Sequence, residues 1–105
     1  MAKLTNPQRK YLRGLAHPLE PVVRAGKQGL TEGVLREVDL ALDSHELIKV
    51  QFPAPREEKE EAARRIEEKL GAELVGLVGH VLTLYRQQSD PELRRIELPR
   101  PARPR

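Results

Sequence analysis

The sequence predicts a small two-layer α+β domain, three helices on a mixed four-stranded sheet, in the order α-β-α-β-α-β-β. Three observations predict it. Residues 56–70 (REEKEEAARRIEEKL) are acidic at the start and apolar at Ala62, Ala63, Ile66 and Leu70, the stripe of an amphipathic helix. Residues 46–52 alternate, setting Ile48, Val50 and Phe52 on one side and Lys49 with Gln51 on the other, the period of a strand. Two apolar runs, 74–78 and 81–85, flank Gly79 and His80 as in a hairpin.

The remaining elements follow in chain order. A first helix is predicted from Thr5 or Asn6 as N-cap, Pro7 at the first helical position, and Leu12 and Leu15 on one apolar face; it stops before His17-Pro18. Val22 and Val23, between Pro21 and the glycines that follow, form a short strand. Thr31 caps a second helix whose apolar face is Val34, Val38, Ala41 and Leu42. The alternating strand ends at Pro53 and Pro55, and Gly71 closes the third helix. Right-handed strand-helix-strand crossovers bring the helices onto a face of the sheet. The predicted domain spans residues 1–86. Residues 87–105 carry Pro91, Pro99, Pro101 and Pro104 among five arginines and are expected to be a largely flexible basic tail, with Arg95–Leu98 alternating enough for a short edge strand.

Composition narrows the function. The 105 residues contain no cysteine, and His17, His45 and His80 lack the spacing of a helical metal site, so neither thiol chemistry nor a metal cofactor is expected. Ser44 and Ser89 sit in no nucleophile turn, and no cofactor or catalytic constellation is present. No stretch approaches the roughly 20 apolar residues of a membrane span, which predicts a cytoplasmic protein, and a monomer is expected. Positive charge gathers at the ends: residues 1–52 hold 8 Lys/Arg against 6 Asp/Glu, residues 53–85 hold 5 against 7, and residues 86–105 hold 6 against 3. Such ends suit a polyanion. The aromatics are Tyr11, Phe52 and Tyr85 alone, too few for a stacking platform, so any RNA contact is expected to depend on backbone and shape.

The site predicted to make those contacts is Gly26-Lys27-Gln28-Gly29. Two glycines around a basic residue let the main chain approach a phosphate, and the N–H groups of the helix starting near Thr31 point to the same anion. About 0.5 GxxG matches are expected by chance at this glycine content, and two occur. The second, Gly76 to Gly79, contains no basic residue and precedes no helix, so its glycines are assigned to a turn or bulge. Arg9, Lys10, Arg13 and Arg24 extend the basic surface, with Lys49 and Arg86 as further candidates. Replacing both loop glycines by alanine is expected to weaken RNA binding without loss of helicity.

The residues Leu15-Ala16-His17-Pro18-Leu19, Pro21-Val22-Val23, Gly26-x-x-Gly29-Leu30-Thr31-Glu32-Gly33-Val34 and His45-Glu46-Leu47-Ile48-Lys49-Val50 occur in that order. Together with Gly71-Ala72, Leu84-Tyr85-Arg86 and Arg95-Ile96-x-Leu98-Pro99, they closely resemble the stand-alone bacterial CRM-domain proteins of the YhbY family. That resemblance implies a fold like the C-terminal domain of bacterial translation initiation factor three, a KH-like GxxG loop, and RNA as ligand. It also implies association with rRNA in precursors of the large ribosomal subunit, and a role in ribosome assembly without catalysis. The alternative is a protein-interaction module docking its acidic helix on ribosomal or assembly proteins.

Overall fold

The computed structural model describes residues 3–100. Three helices and four strands follow the predicted order: α1 (Asn6–Ala16), β1 (Pro21–Arg24), α2 (Glu32–His45), β2 (Leu47–Gln51), α3 (Arg56–Leu70), β3 (Glu73–Val78) and β4 (Val81–Tyr85). The sheet runs β1-β2-β4-β3, with β1 parallel to β2 and the other pairs antiparallel.

Local chemistry sets the helix limits. Thr5 caps α1: its Oγ1 accepts from the Gln8 N–H at 3.2 Å while Gln8 Oε1 accepts from the Thr5 N–H at 3.0 Å, a reciprocal capping box. Thr31 caps α2 by accepting from the Val34 N–H at 3.2 Å. The third helix ends at Gly71, which adopts φ 67°, the left-handed conformation glycine takes without a Cβ penalty.

The helices divide between the two faces of the sheet, so the domain has a layer beyond the two predicted. Ile48, Val50, Leu82 and Leu84 face Leu35, Val38, Leu42, Ala62 and Ile66 of α2 and α3. On the opposite face, Leu12 and Ala16 of α1 pack with Leu4, Leu47, Val75 and Tyr85. This explains why Leu47 and Ile48 are both buried although they are neighbours in a strand: each face has its own cover. The first helix also buries a different pair from the one expected. Leu15 remains 39% exposed, and Ala16, one full turn after Leu12, takes the inward position.

Gly76 and Gly79 are structural, as predicted. Pairing of β3 with β4 slips between Leu74 and Gly76, the mark of a bulge, and Gly79 has φ 56° in the turn between them.

The C-terminal segment departs from expectation. Glu46, read as the start of the strand, instead closes α2 with φ 63° and turns a fully buried carboxylate toward the tail. That carboxylate accepts from the N–H groups of Gln88 at 2.8 Å, Arg95 at 2.6 Å and Ile96 at 3.0 Å. Ile96 and Leu98 pack against the α1 cluster, and Gln8 Nε2 donates to the Pro99 carbonyl at 2.9 Å. Residues 88–99 are thus hydrogen-bonded to and packed on the rest of the domain. The edge strand at 95–98 does not form, because a side-chain carboxylate takes the N–H groups a strand partner would need. Residues 101–105, where disorder was expected, lie outside the described residues.

Tyr85 is fully buried beside this clasp, and its hydroxyl has no hydrogen-bond partner among the described residues. Burial, reinforced by the Glu46 charge, pushes its pKa from 10.0 up to about 12. The neutral phenol therefore stabilises the fold fully below pH 10; that contribution is lost between about pH 10 and 12, where the unfolded chain ionises first. Urea midpoints should accordingly fall more steeply above pH 10 for the wild type than for Tyr85→Phe. Below pH 9.5 the variant should be at least as stable as the wild type, since it discards an unpaired buried hydroxyl. Parallel midpoint curves through this range would contradict the assignment.

Candidate nucleic-acid interface

The predicted loop is held between two anchors. Before it, β1 pairs with β2 at Arg24 and Gln51, and the buried Ala25 donates to the Gln51 carbonyl at 2.8 Å. After it, the Thr31 N–H donates to the Gly29 carbonyl at 3.1 Å and α2 begins. The loop itself is one tight turn, closed by the Gly29 N–H donating to the Gly26 carbonyl at 3.0 Å. Gly26, Lys27 and Gln28 are exposed at its tip.

The two glycines have different reasons to be glycine. Gly29 sits at φ 72°, and a Cβ there would lie 3.5 Å from Phe52 Cζ. Backbone conformation requires it. Gly26 has no such φ, and a Cβ on it would meet nothing within 4 Å. Neither packing nor backbone geometry asks for glycine at Gly26. The paired replacement is therefore two experiments. Gly29→Ala should cost about 1 kcal/mol of stability through strain, whereas Gly26→Ala should leave urea stability within about 0.5 kcal/mol of wild type and still weaken RNA binding. An equal stability loss in both would refute the division.

The start of α2 adds donors beside the turn. Thr31 uses its hydroxyl on Val34, and its carbonyl accepts from Leu35 at 2.9 Å. The N–H groups of Glu32 and Gly33 have no acceptor among the described residues and remain open to an anion. The Glu32 carboxylate at this end is a counterweight that limits how much negative charge the helix terminus attracts.

The basic candidates divide by what already occupies them. Lys27 and Lys10 are exposed and make no ion pair among the described residues. Arg24 donates to Gln51 Oε1, and Lys49 Nζ donates to the His17 carbonyl at 3.4 Å; strand register puts both cations on the sheet face that carries α1. Arg13 donates to the Val75 carbonyl at 3.3 Å, also over that face. Arg9 is drawn into the fold by Glu73 at 2.8 Å, whose carboxylate also accepts from the Leu4 N–H. Arg86 is 19% exposed and holds Asp39 at 2.7 Å, Asp43 at 2.9 Å and the Leu70 carbonyl at 2.9 Å. Its charge is committed to joining α2, α3 and the end of β4.

Sequence reasoning missed the part of the sheet between these cations. The first helix has 11 residues, about 16 Å, and covers only one half of its face. The uncovered half exposes Val22 and Val78, the latter at 78%. The signal was present in alternation: Val81, Thr83 and Tyr85 share one side of β4, and only Tyr85 lies under α1.

Known proteins resemble this chain along most of its length. Residues 4–86 match the CRS1 / YhbY (CRM) domain. The chain is 46% identical over 101 residues to a protein of Haemophilus influenzae named RNA-binding protein, covering 95% of this chain and 99% of that one. It is 33% identical over 97 residues to YqeI of Bacillus subtilis, named a probable RNA-binding protein, covering 91% and 99%. The solution structure of the Staphylococcus aureus protein SAV1595 superposes with a TM-score of 0.79 at 36% identity, covering 92% of this chain and all of that one. A domain match across most of the chain, close relatives of the same length and a shared fold lead to one conclusion: the chain belongs to the CRS1 / YhbY (CRM) domain family.

Proposed function

We propose that this protein binds RNA, with the Gly26–Gly29 turn contacting the sugar-phosphate backbone, and that its target is rRNA in a precursor of the large ribosomal subunit during assembly. The observation that carries the reading is Gly26: an exposed glycine that the fold does not require, beside the exposed Lys27 and the open N–H groups of Glu32 and Gly33. The names of the relatives support RNA as the ligand. The ribosomal target rests on the family resemblance of the sequence. Lys27 supplies a phosphate contact, while Arg24, Lys49 and Lys10 contribute a diffuse positive surface. The acidic helix is a weaker docking surface, because Glu60 and Glu61 are paired with Arg56 and Arg64 of the same helix.

Lys27→Ala should weaken binding several-fold on every RNA sequence tested and lower the slope of log affinity against log salt by about 0.7–0.9, one phosphate contact. Filter-binding titrations over a range of salt read both quantities. An unchanged slope would remove Lys27 from the site. Crosslinking in cells, followed by sequencing of the attached RNA, tests the ribosomal target; recovery without enrichment of large-subunit precursor sequences would reject it.

A further inference from the structure

The uncovered half of the sheet is a concave surface with a cavity of about 520 Å3 above it, within the size range of small-ligand sites. Val78, Val81 and Thr83 line its floor, and Arg13 and Lys49 stand on its rim. The placement of Arg13 is specific. A Cβ at Gly76 would lie 3.5 Å from Arg13 Cδ and 3.8 Å from Cγ, ordinary contact distances, so the arginine stem crosses the strand directly over the bulge glycine. The guanidinium is then fastened by donation to the Val75 carbonyl. A planar cation is thus fixed beside an open apolar floor, an arrangement that can stack on a flat π-system without first ordering a long side chain.

Location ties this cavity to the loop. Pro21 lines the cavity and pairs with Lys49; three residues further along β1, Arg24 pairs with Gln51, and the loop begins. The distance from Lys49 to Gln51 along β2 is two residues, about 7 Å at the rise of a strand. A strand of RNA whose phosphate lies at the turn can therefore bring a neighbouring base over the cavity.

Resting on the RNA-binding reading above, we infer that the cavity seats one unpaired RNA base, stacked on the Arg13 guanidinium and lying on Val78 and Val81, with Lys49 paired to its phosphate. Glu20 and His17, also on the rim, and the Thr83 hydroxyl supply hydrogen-bonding groups for the base edge. The occupant is argued from charge: an apolar floor with the Arg13 and Lys49 cations on its rim suits an aromatic group carried on an anionic chain, whereas an uncharged apolar peptide would leave both cations without an anion. The consequence is a preference for single strands, which a backbone clamp alone would not give, since a base held in a duplex cannot enter the cavity.

The test uses the full chain and a short fluorescein-labelled single-stranded oligoribonucleotide of mixed sequence, the same strand in a duplex, and a version with abasic sites. Polarisation should show the single strand binding about tenfold more tightly than either of the others, the scale of one stacked base. Arg13→Lys keeps the charge and removes the plane; it should lose most of that advantage while its salt slope and its binding to the duplex stay as in wild type. On the unaltered protein, amide resonances of Val78, Val81 and Thr83 should shift with the intact strand and stay in place with the abasic one. Equal binding of all three RNAs, or a wild-type preference in Arg13→Lys, overturns the base seat; the RNA-binding reading survives that result if Lys27→Ala still lowers the salt slope. Failure of every RNA to bind overturns both.

Discussion

Glu46→Ala should destabilise the protein by about 3 kcal/mol or more, the scale of losing charge-assisted hydrogen bonds to a buried acceptor. The carboxylate is 1% exposed and gathers three main-chain donors from residues 42 to 50 positions later in the chain. Removing it leaves those N–H groups facing an apolar layer of Leu47, Tyr85, Ile96 and Leu98. Residues 88–98 should then become accessible to protease at denaturant concentrations where the sheet is still folded. Glu46→Gly separates the two roles of the residue. It loses the same hydrogen bonds but suits φ 63° better, so it should be about 1 kcal/mol more stable than the alanine variant. Urea unfolding with limited proteolysis measures both differences. A loss below about 1 kcal/mol for alanine would show that the clasp contributes little.

Arg86→Ala is the second large effect, expected at about 2 kcal/mol. Asp39 and Asp43 are partly solvated, so each ion pair is modest, but the guanidinium also satisfies the Leu70 carbonyl at the end of α3 and the Asp39 carbonyl within α2. Arg86→Lys should recover less than half of the loss, because an ammonium cannot reproduce a fork that reaches two helices at once. Neither variant should change the salt slope of RNA binding under conditions where it is folded. Lys27→Ala should show the opposite pattern, a changed slope at unchanged stability. A lowered slope in folded Arg86→Ala would return Arg86 to the binding surface.

The contrast between these two cations shows where the sequence was legible. The glycine loop singled out Lys27 and residue type added Arg86 as a basic candidate, but only tertiary structure shows that Arg86 is held by the carboxylates of Asp39 and Asp43 in α2. Local signals translated well. The run from Arg56 to Leu70 became a helix with those limits because its stripe, acidic first turn and Gly71 all agree. Gly76 and Gly79 were separated from the loop glycines by context alone. Long-range features were hidden: Glu46 lies in an alternating run that reads as strand, and its partners follow about 50 residues later. Likewise, the Leu12–Leu15 spacing is as helical as Leu12–Ala16, and only the angle at which the helix meets the sheet decides between them. The loop was found as a motif, but the unequal roles of its glycines required φ values and the position of Phe52.

The clasp around Glu46 also bears on how the chain is made. The residue emerges from a ribosome long before Gln88, Arg95 and Ile96, the donors that complete its shell. Until then the carboxylate needs water, and the sheet face under α1 lacks the cover of Ile96 and Leu98. Vectorial synthesis therefore leaves this side of the domain open until residues 88–98 arrive, the entropic cost of these long-range contacts falling late in folding. A fragment stopped at residue 86 would retain every helix and strand of the sheet domain yet strand a carboxylate among apolar side chains. Arrival of residues 88–98 is therefore the step that closes the domain.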